Sequence, residues 1–435
     1  MHKPWDQFPT VHQPPWLEKS AAVREIPSMQ SSSAVPLSIV GAGLAGCWLA
    51  RILAEKGVPV HLFEKNEKVA LEASGNPVGI VKPFVTRSIS NGMSFHCLAH
   101  EFLLDRLAKF NLESVSGFSP CGVLQLVHSV YPPSQYYSCL TKNAGTRFAG
   151  ISTESSSLLF ANGGWLNPIA LCNALAQHPL ITLQTGFELT SIDDSSEEKN
   201  HRLLFANKDS VNSHHTVFTV GSAFHLLPEN ENIPLTPARG QLSYFEFQDS
   251  SDTLNCVVNG KHYAIPTEEG VYVGATFDRE NIRTEVTEQD HLSNLKGLKE
   301  LLPDLKIRES AVKGYAAVRA TTPDRLPLLG PAPDFTLARD IYGDIRHGRS
   351  LDTYASLPCH DGLYMLGGLG SRGIVTAPLC AQLLANYLLG TNEETSNSDW
   401  LNPDNAAREN FDLSTWAPLL NPARFLIRQL KRSEA

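Results

Sequence analysis

Two glycine-rich turns carry the clearest chemical signal in this chain. The first, Gly41-Ala42-Gly43-Leu44-Ala45-Gly46, lies between an apolar run at 36–40 and a helical pattern at 44–56. Glycines at this spacing allow a tight turn, a close approach of the backbone to a pyrophosphate, and close packing of helix on strand. Free N–H groups at the helix start then face the phosphates. Strand, turn and helix in this order predict a dinucleotide site.

An acidic residue follows at the distance that such a site requires. A second apolar strand at 59–63 is followed directly by Glu64, eighteen residues after Gly46. A carboxylate at this point can accept hydrogen bonds from both hydroxyls of an adenosine ribose. We therefore assign Glu64, with Lys65 beside it, to the cofactor site.

The second turn comes late in the sequence, at 366–373, and again lies between a short apolar strand and a long apolar helix at 374–389. A nicotinamide dinucleotide needs one such turn. FAD commonly uses a second one, whose helix dipole stabilises the negative charge of the reduced ring. The pair of turns therefore favours FAD. The residues expected to contact it here are Gly368, Gly370, Ser371, Arg372 and Gly373.

Two further segments are candidates for cofactor contacts. The small residues of Ala73-Ser74-Gly75-Asn76 would let a loop cross close to an extended cofactor, although a surface turn is an equally good interpretation. Gly221 follows the predicted strand 216–220, which brings the chain back to the first sheet.

These turns require a scaffold of strands and helices in two parts. We predict an α/β fold (α+β overall), in which a Rossmann-like cofactor domain carries an inserted antiparallel sheet that forms the substrate domain. The cofactor domain would comprise 36–90, 155–225 and 325–392, and the substrate domain 91–154 and 226–324, with strands at 241–247, 256–259, 262–266 and 271–275. Residues 1–35 are interpreted as a Pro/Trp-rich leader or linker, and 393–435 as a tail with a basic helix.

Composition excludes several classes of protein. The chain has 435 residues and a formal charge of −9, so binding to RNA would need a local basic patch. No apolar run is long enough to cross a bilayer, and we expect no membrane association. The eight cysteines form no C-x-x-C pair and are typical of reduced thiols in a cytoplasmic protein. His96 and His100 have metal-ligand spacing, but no third ligand is near, so we expect helix-surface histidines and no metal.

With both turns placed, the chain resembles the FAD-dependent amine and amino-acid oxidases of the glycine-oxidase and D-amino-acid-oxidase (DAO) type. More closely, it resembles the oxidoreductase half of the MnmC family of bifunctional tRNA-modifying enzymes. The segments that carry this closer resemblance extend in the family's order over most of residues 36–432: Ala73 to Asn76, Gly163-Gly164-Trp165-Leu166-Asn167-Pro168, Arg239-Gly240-Gln241, the run Val318 to Pro327, Leu369 to Gly373 with Ala377-Pro378-Leu379, and Asn421-Pro422-Ala423-Arg424-Phe425.

The resemblance implies a reaction and a set of substrate residues. The reaction is oxidative removal of the carboxymethyl group from 5-carboxymethylaminomethyl uridine at the tRNA wobble position, giving 5-aminomethyl uridine and glyoxylate, with dioxygen as electron acceptor. Arg319 would clamp the carboxylate, unless it is a structural arginine paired with Asp324. Arg239 and Arg372 are second candidates for the substrate pocket or flavin edge, and each could equally be a surface arginine. Tyr263 and Lys82 are candidate pocket residues that spacing alone does not place.

Two departures from the family pattern lead to expectations. Bifunctional members begin with a methyltransferase domain that is not found here, so we expect no S-adenosylmethionine chemistry in this chain and a separate methyltransferase for the next step. Sarcosine-oxidase relatives carry a flavin-linking cysteine where this chain has Ala317, so FAD should be bound non-covalently.

The alternative function is a small-molecule glycine or sarcosine-type oxidase that produces glyoxylate and hydrogen peroxide. Residues 421–432 separate the two interpretations, since a free amino-acid oxidase has no use for a basic helix. Arg424, Arg428, Lys431 and Arg432 fall at i, i+4, i+7 and i+8, and we expect this stripe to face tRNA. The alternative is a solvated helix whose cations suit the negative end of its dipole.

Overall fold

A computed structural model describes nine ranges of the chain: 36–86, 90–126, 157–195, 200–249, 252–280, 282–347, 355–390, 416 and 419–432. The predicted leader 1–35 and most of the predicted tail lie outside these residues.

Eighteen strands are described: β1 (Leu37–Val40), β2 (Val60–Glu64), β3 (Gly79–Val81), β4 (Val123–Leu126), β5 (Ser157–Phe160), β6 (Gly164–Leu166), β7 (Ile181–Thr185), β8 (Leu189–Ser195), β9 (Asn200–Phe205), β10 (Ser210–Ser213), β11 (Thr216–Phe218), β12 (Thr236–Phe247), β13 (Val257–Asn259), β14 (Tyr263–Pro266), β15 (Gly270–Gly274), β16 (Ile307–Thr321), β17 (Leu328–Pro333) and β18 (Cys359–Gly367).

Seven α-helices are described beside these strands: α1 (Leu44–Glu55), α2 (Asn91–Lys109), α3 (Pro168–Ala176), α4 (Glu288–Leu301), α5 (Phe335–Tyr342), α6 (Gly373–Leu388) and α7 (Arg424–Arg432). Side chains cap several of them as the sequence suggests. The Asn167 side chain accepts hydrogen bonds from the first turn of α3, with Pro168 at the first helical position. Thr287 caps α4 in the same way.

A six-stranded sheet forms the base of the cofactor domain, in the order β17-β18-β11-β1-β2-β7. Its strands are parallel except β17, which pairs antiparallel with β18. Alternate residues of β1 enter two different cores: Ile39 packs with α1, α2, α3 and α6, and Val40 packs on the side of α5 and α7. Burial on both faces is what a parallel sheet between two helical layers requires.

A seven-stranded, mostly antiparallel sheet forms the second part, in the order β16-β12-β15-β14-β13-β4-β5. The predicted strands between 241 and 275 all belong to it. Its longest pair is β12 with β16, which runs from Thr236 opposite Thr321 to Phe247 opposite Ile307. The predicted α/β (α+β) fold with an inserted antiparallel sheet is thus confirmed.

Two elements pack with a different domain from the one to which the sequence analysis assigned them. β5 pairs with β4 in the seven-stranded sheet, although residues from 155 onward were assigned to the cofactor domain. Helix α2 buries Phe95 and Leu103 in the core that contains α1 and α6, although it was assigned to the substrate domain. The apolar stripe of α2 predicts a buried face but does not say which sheet it covers.

The prediction of surface histidines on α2 is wrong, since His96 and His100 are only 3% and 2% exposed. Burial, with the charges of Arg372 and Lys82, lowers the pKa of His96 to about 3. Burial and Lys82 lower the pKa of His100 to about 4. Both imidazoles are therefore neutral at physiological pH. In the described part of the chain, no group of three His, Cys, Asp or Glu residues is arranged to hold a metal ion.

The seven cysteines in the described ranges are free thiols. Of the helices described, none combines the length and apolar character needed to cross a membrane.

Helix α7 corrects the expectation of an outward basic stripe. Arg424 is 2% exposed, and its guanidinium donates to both oxygens of Asp324 at 2.9 and 3.0 Å. It also donates to the carbonyl oxygens of Leu326, Leu420 and Asn421. Helical spacing alone could not reveal the carboxylate of Asp324, which the first turn of α7 packs against.

The second turn of α7 shares the same carboxylate, since Arg428 donates to Asp324 at 2.6 Å. Its side chain is 40% exposed. Lys431 and Arg432 extend beyond this contact and are exposed. Only the end of the predicted stripe is therefore free to meet a partner.

Replacing Arg424 by Met should destabilise the protein by about 3 kcal/mol, because the partly buried carboxylate of Asp324 loses its buried cationic partner. Lys431→Met is the matched control and should change the free energy of unfolding by less than about 0.5 kcal/mol. Urea unfolding of both variants measures the difference. Equal stability of the two variants would contradict a structural role for Arg424.

The same contact predicts a pH dependence. Burial raises the pKa of the Asp324 carboxyl, but hydrogen bonds and charge from Arg424 and Arg428 outweigh burial and hold that pKa below its ordinary value. A depressed pKa in the folded state means that the stabilisation is present above about pH 4 and is lost as the pH falls through the folded pKa. Wild type should therefore lose its stability advantage over Asp324→Asn as the pH is lowered below about 4.

Candidate active site

A cavity of about 860 Å³ is lined by residues of both sheets and both glycine turns. It brings together segments that lie more than 300 residues apart in sequence, from Gly41 to Arg372. Most of the predicted cofactor residues line it: Gly41, Gly43, Leu44, Ala45, Glu64, Lys65, Ala73, Ser74, Asn76, Gly221, Gly368, Gly370, Ser371, Arg372 and Gly373. Ala42, Gly46 and Gly75 are not among the residues that line it.

Two glycines of the first turn meet atoms that leave no room for a side chain. Gly41 has φ +106°, and a Cβ there would lie 2.6 Å from the carbonyl oxygen of Thr219. At Gly46 a Cβ would lie 1.9 Å from the carbonyl oxygen of Gly41. These contacts hold the start of α1 against the ends of β1 and β11. The helix N-terminus consequently opens into the cavity.

Glu64 ends β2 beside this turn and is almost fully buried. Its carboxylate accepts hydrogen bonds from the Ala42 N–H at 2.8 Å, the Asn66 N–H at 3.0 Å and the Asn66 Nδ2 at 2.7 Å. The carboxylate is therefore fixed at the cavity wall before any ligand binds. This is the placement that a ribose-binding acid requires.

The loop at 73–76 crosses the N-terminus of α1. Ser74 Oγ accepts a hydrogen bond from the Leu44 N–H at 3.0 Å, and a Cβ at Gly43 would lie 2.9 Å from that oxygen. A surface turn would not make these contacts, so the structure favours the cofactor-loop interpretation. Gly75 faces away from the cavity, towards the hydroxyl of Tyr315.

Arg372 precedes α6 in the second turn and lies in the cavity wall, so it is not a surface arginine. Its guanidinium lies 3.8 Å from the centroid of the Phe84 ring. Burial, with the charge of Arg325, lowers the pKa of Arg372 to about 10, which leaves it cationic at physiological pH. Spacing did not identify Phe84, because nothing in the sequence around it predicts a stacking partner for an arginine 288 residues later.

Arg319 projects into the cavity from β16. Among the residues that the structure describes, none forms a hydrogen bond or an ion pair with its guanidinium. The alternative pairing with Asp324 is wrong, because that carboxylate is bound by Arg424 and Arg428. The guanidinium rests instead on Gly240, where a Cβ would lie 2.7 to 2.9 Å from its nitrogen and central carbon atoms. A cation with free donors in a cavity is suited to bind an anion.

Arg239 is not a pocket residue, which corrects the sequence prediction. It is 2% exposed and does not line the cavity. Its guanidinium donates to Asp290 at 2.6 Å and to the carbonyl oxygens of Arg283 and Glu285 at 2.6 and 2.7 Å. These contacts make Arg239 a structural residue that fixes the segment after β15.

Tyr263 and Lys82 both line the cavity. Burial raises the pKa of the Tyr263 phenol, with an opposing contribution from the charge of Arg319, so it stays protonated and can donate a hydrogen bond. Burial and the charge of Arg372 lower the pKa of Lys82 to about 8. Three cations, Arg319, Arg372 and Lys82, thus border one cavity, which favours a negatively charged ligand.

A family model described as FAD dependent oxidoreductase (DAO) matches residues 37–387. The chain belongs to this family. Its members are FAD-dependent and act on CH–NH groups. The fixed Glu64 carboxylate, the two helix N-termini and the long cavity between them fit the extended dinucleotide of FAD.

Curated relatives are about 31% identical to the chain over the aligned residues. One is the tRNA 5-methylaminomethyl-2-thiouridine biosynthesis bifunctional protein MnmC of Ectopseudomonas mendocina, 31% identical over 407 residues, which covers 88% of this chain and 60% of that protein. The protein of the same name from Pseudomonas syringae pv. syringae is 32% identical over 374 residues, covering 80% of this chain and 55% of that protein. The chain therefore spans little more than half the length of these relatives.

Solved structures share the fold. Glycine oxidase from Geobacillus kaustophilus aligns with a TM-score of 0.63 at 19% identity and covers 83% of this chain and 95% of that chain. Iminodiacetate oxidase from Chelativorans sp. BNC1 aligns with a TM-score of 0.63 at 17% identity, covering 83% and 97%.

The contact between Gly240 and Arg319 can be tested by Gly240→Ala. The added methyl group should displace the flexible guanidinium and leave the fold intact, so the affinity for acetate should fall about tenfold while stability changes by less than about 0.5 kcal/mol. Acetate binding is measured from the visible flavin spectrum. Gly92→Ala is the control, since a Cβ there meets its nearest atom at 3.6 Å, an ordinary contact. Unchanged acetate affinity in Gly240→Ala would show that the guanidinium does not bind carboxylates.

Proposed function

We propose that the chain oxidises the carboxymethylaminomethyl group of wobble uridine in tRNA, giving 5-aminomethyl uridine and glyoxylate. The observation that carries the proposal is Arg319, a cation without a partner among the described residues, in the cavity that both glycine turns line. A substrate amine that carries a carboxylate one carbon away matches that cation. The names of the curated relatives support tRNA as the molecule that carries the amine.

Positioning is the main task of the protein in this reaction. A planar guanidinium can hold a carboxylate through two parallel hydrogen bonds, and Gly240 supports its plane from below. Binding the carboxylate in this way fixes the adjacent CH₂ group, which removes much of the entropic cost of reaching the reactive geometry. Tyr263, kept protonated by burial, can donate a hydrogen bond to the substrate beside Arg319.

We assign FAD to the cavity as a non-covalent cofactor. Gly41, Gly43 and Ser74 would face its pyrophosphate, Glu64 its ribose, and the turn at 370–373 its ring. FAD supplies a two-electron acceptor for the amine, and dioxygen is the acceptor that we propose for the enzyme as a whole. Ala317 is buried and offers no thiol for a covalent link, so acid should release the flavin.

The overall reaction balances with water and dioxygen. The substrate loses two electrons and two protons across its carbon–nitrogen bond, and water then adds to that bond and splits it. Glyoxylate leaves with the former CH₂ carbon, the amine remains on the uridine, and dioxygen becomes hydrogen peroxide. Arg319 can hold the carboxylate throughout, because neither step changes its charge.

A small-molecule glycine or sarcosine-type oxidase is the second candidate, and the contacts of α7 no longer count against it. Burial of Arg424 and pairing of Arg428 with Asp324 give this helix a structural role. An oxidase of free amino acids could use such a helix as well, so the basic ending no longer separates the two functions.

Arg319→Ala should lower kcat/KM by about 30-fold or more on tRNA that carries 5-carboxymethylaminomethyl uridine, since a desolvated charge pair contributes about 2 to 5 kcal/mol. Arg319→Lys should recover only part of the loss, because an ammonium cannot bind both oxygens in one plane. Glyoxylate release and nucleoside mass spectrometry measure the reaction, and Arg202→Ala is the exposed control. If the wild type oxidises glycine or sarcosine but not this tRNA, the second candidate is correct.

The exposed end of α7 makes a separate prediction about tRNA binding. If Lys431 and Arg432 each meet a phosphate, replacing both by Ala should flatten the slope of log K against log salt by about two units. Replacing Lys56 and Lys306, which are exposed elsewhere, should leave the slope unchanged. An equal slope in both double variants would mean that tRNA binds on another surface.

A further inference from the structure

The segment that follows β15 carries an exposed aromatic ring at the edge of the cavity. Phe277 lines the cavity, yet 56% of it is exposed. Four of the eight large apolar side chains that are exposed in the described ranges lie between 277 and 292: Phe277, Ile282, Val286 and Leu292. Of these four, Phe277 lines the cavity, and an exposed aromatic ring at a cavity edge is suited to contact a ligand that extends beyond the cavity.

Backbone pairing places this ring relative to Arg319. Arg239 and Asp278 exchange backbone hydrogen bonds at 2.7 and 3.0 Å, and the Thr276 N–H donates to the Gln241 carbonyl oxygen at 3.3 Å. Phe277 is therefore opposite Gly240 on β12. Because opposed residues project from the same face of a sheet, Phe277 lies on the face where the guanidinium of Arg319 covers Gly240.

Buried polar contacts hold this segment in place. The Arg239 side chain donates to the carbonyl oxygens of Arg283 and Glu285, and Gln241 Nε2 donates to that of Thr287 at 2.9 Å. These bonds join the residues after Phe277 to β12. The ring of Phe277 is thus held on an ordered segment, which reduces the conformational entropy that the protein loses when a ligand binds.

The chemistry of this edge suits a nucleobase. The Arg279 guanidinium lies 5.3 Å from the centroid of the Phe277 ring. An aromatic ring with an arginine beside it is a common stacking surface for bases in single-stranded nucleic acid. β16 and the Phe277 segment flank β12, and the Arg319 guanidinium reaches across from β16 to cover Gly240. The guanidinium is therefore one strand spacing, about 5 Å, from the Phe277 segment, which a uracil with a three-atom link to its carboxylate can span.

We propose that Phe277, supported by Arg279, stacks on the uracil ring of the substrate while Arg319 holds its carboxylate. The inference rests on the proposed function and adds to it the recognition of the base. It makes Arg239 a positioning residue, which acts by fixing the segment that carries Phe277.

Three variants of one position test the stacking. Phe277→Ala should raise KM for the modified tRNA about 5- to 100-fold, since stacking on an aromatic side chain contributes that much to base binding. Phe277→Trp should stay within about threefold of wild type, and Phe277→Leu should resemble Phe277→Ala, because an apolar side chain without a ring cannot stack. Leu337→Ala, which removes a similarly exposed apolar side chain from α5, is the control and should leave KM unchanged.

Acetate binding separates stacking from a general disturbance of the site. Acetate carries the carboxylate but no base, so its affinity should change less than about twofold in Phe277→Ala. A large loss of acetate affinity would show that Phe277 is structural and would overturn the inference. An unchanged KM in Phe277→Ala would also overturn the inference. If the sedimentation coefficient of that variant changed at the same time, the exposed edge would be identified as a contact with another protein molecule. Wild-type protein that does not oxidise the modified tRNA would overturn the proposed function itself.

Discussion

The site depends on one steric constraint, the contact between the first glycine turn and the end of β11. The Gly41 backbone lies so close to the Thr219 carbonyl that no Cβ fits between them, and a Cβ at Gly46 would lie closer still to the carbonyl oxygen of Gly41. This contact sets the distance between strand and helix and thereby aims the N-terminus of α1 at the cavity. The buried carboxylate of Glu64 then completes the turn by accepting the Ala42 N–H.

Charge is distributed unevenly between the surface and the site. The chain as a whole carries −9, while Arg319, Arg372 and Lys82 border the cavity. Their positive field favours entry of a small carboxylate and is concentrated by the apolar walls around it. A polyanion such as tRNA would meet a repulsive global field, so its recognition has to depend on local features such as exposed cations and stacking surfaces.

Local signals predicted much of this structure, and tertiary partners explain the rest. Glycine spacing and strand patterns act over a few residues, so both turns and the antiparallel sheet could be derived from the sequence. The roles of the arginines could not. Arg239 is opposite Val318, and Arg319 is opposite Ala238, so the two arginines project from opposite faces of the same strand pair. Strand register decides which one reaches the cavity, and register is set by distant contacts. The burial of Arg424 likewise depends on a carboxylate 100 residues earlier.

The contact of Asp324 with two arginines of α7 links segments that are far apart in the sequence. Losing the Asp324 carboxylate leaves the buried guanidinium of Arg424 without its counter-charge. Losing Arg424 leaves Arg428 as the one described cation that pairs with Asp324. Substitutions at these positions are therefore tolerated best as a set. During divergence or recombination between related chains, the turn at 322–327 and α7 would have to be inherited from the same parent, even though each alone contributes no atom to the chemistry.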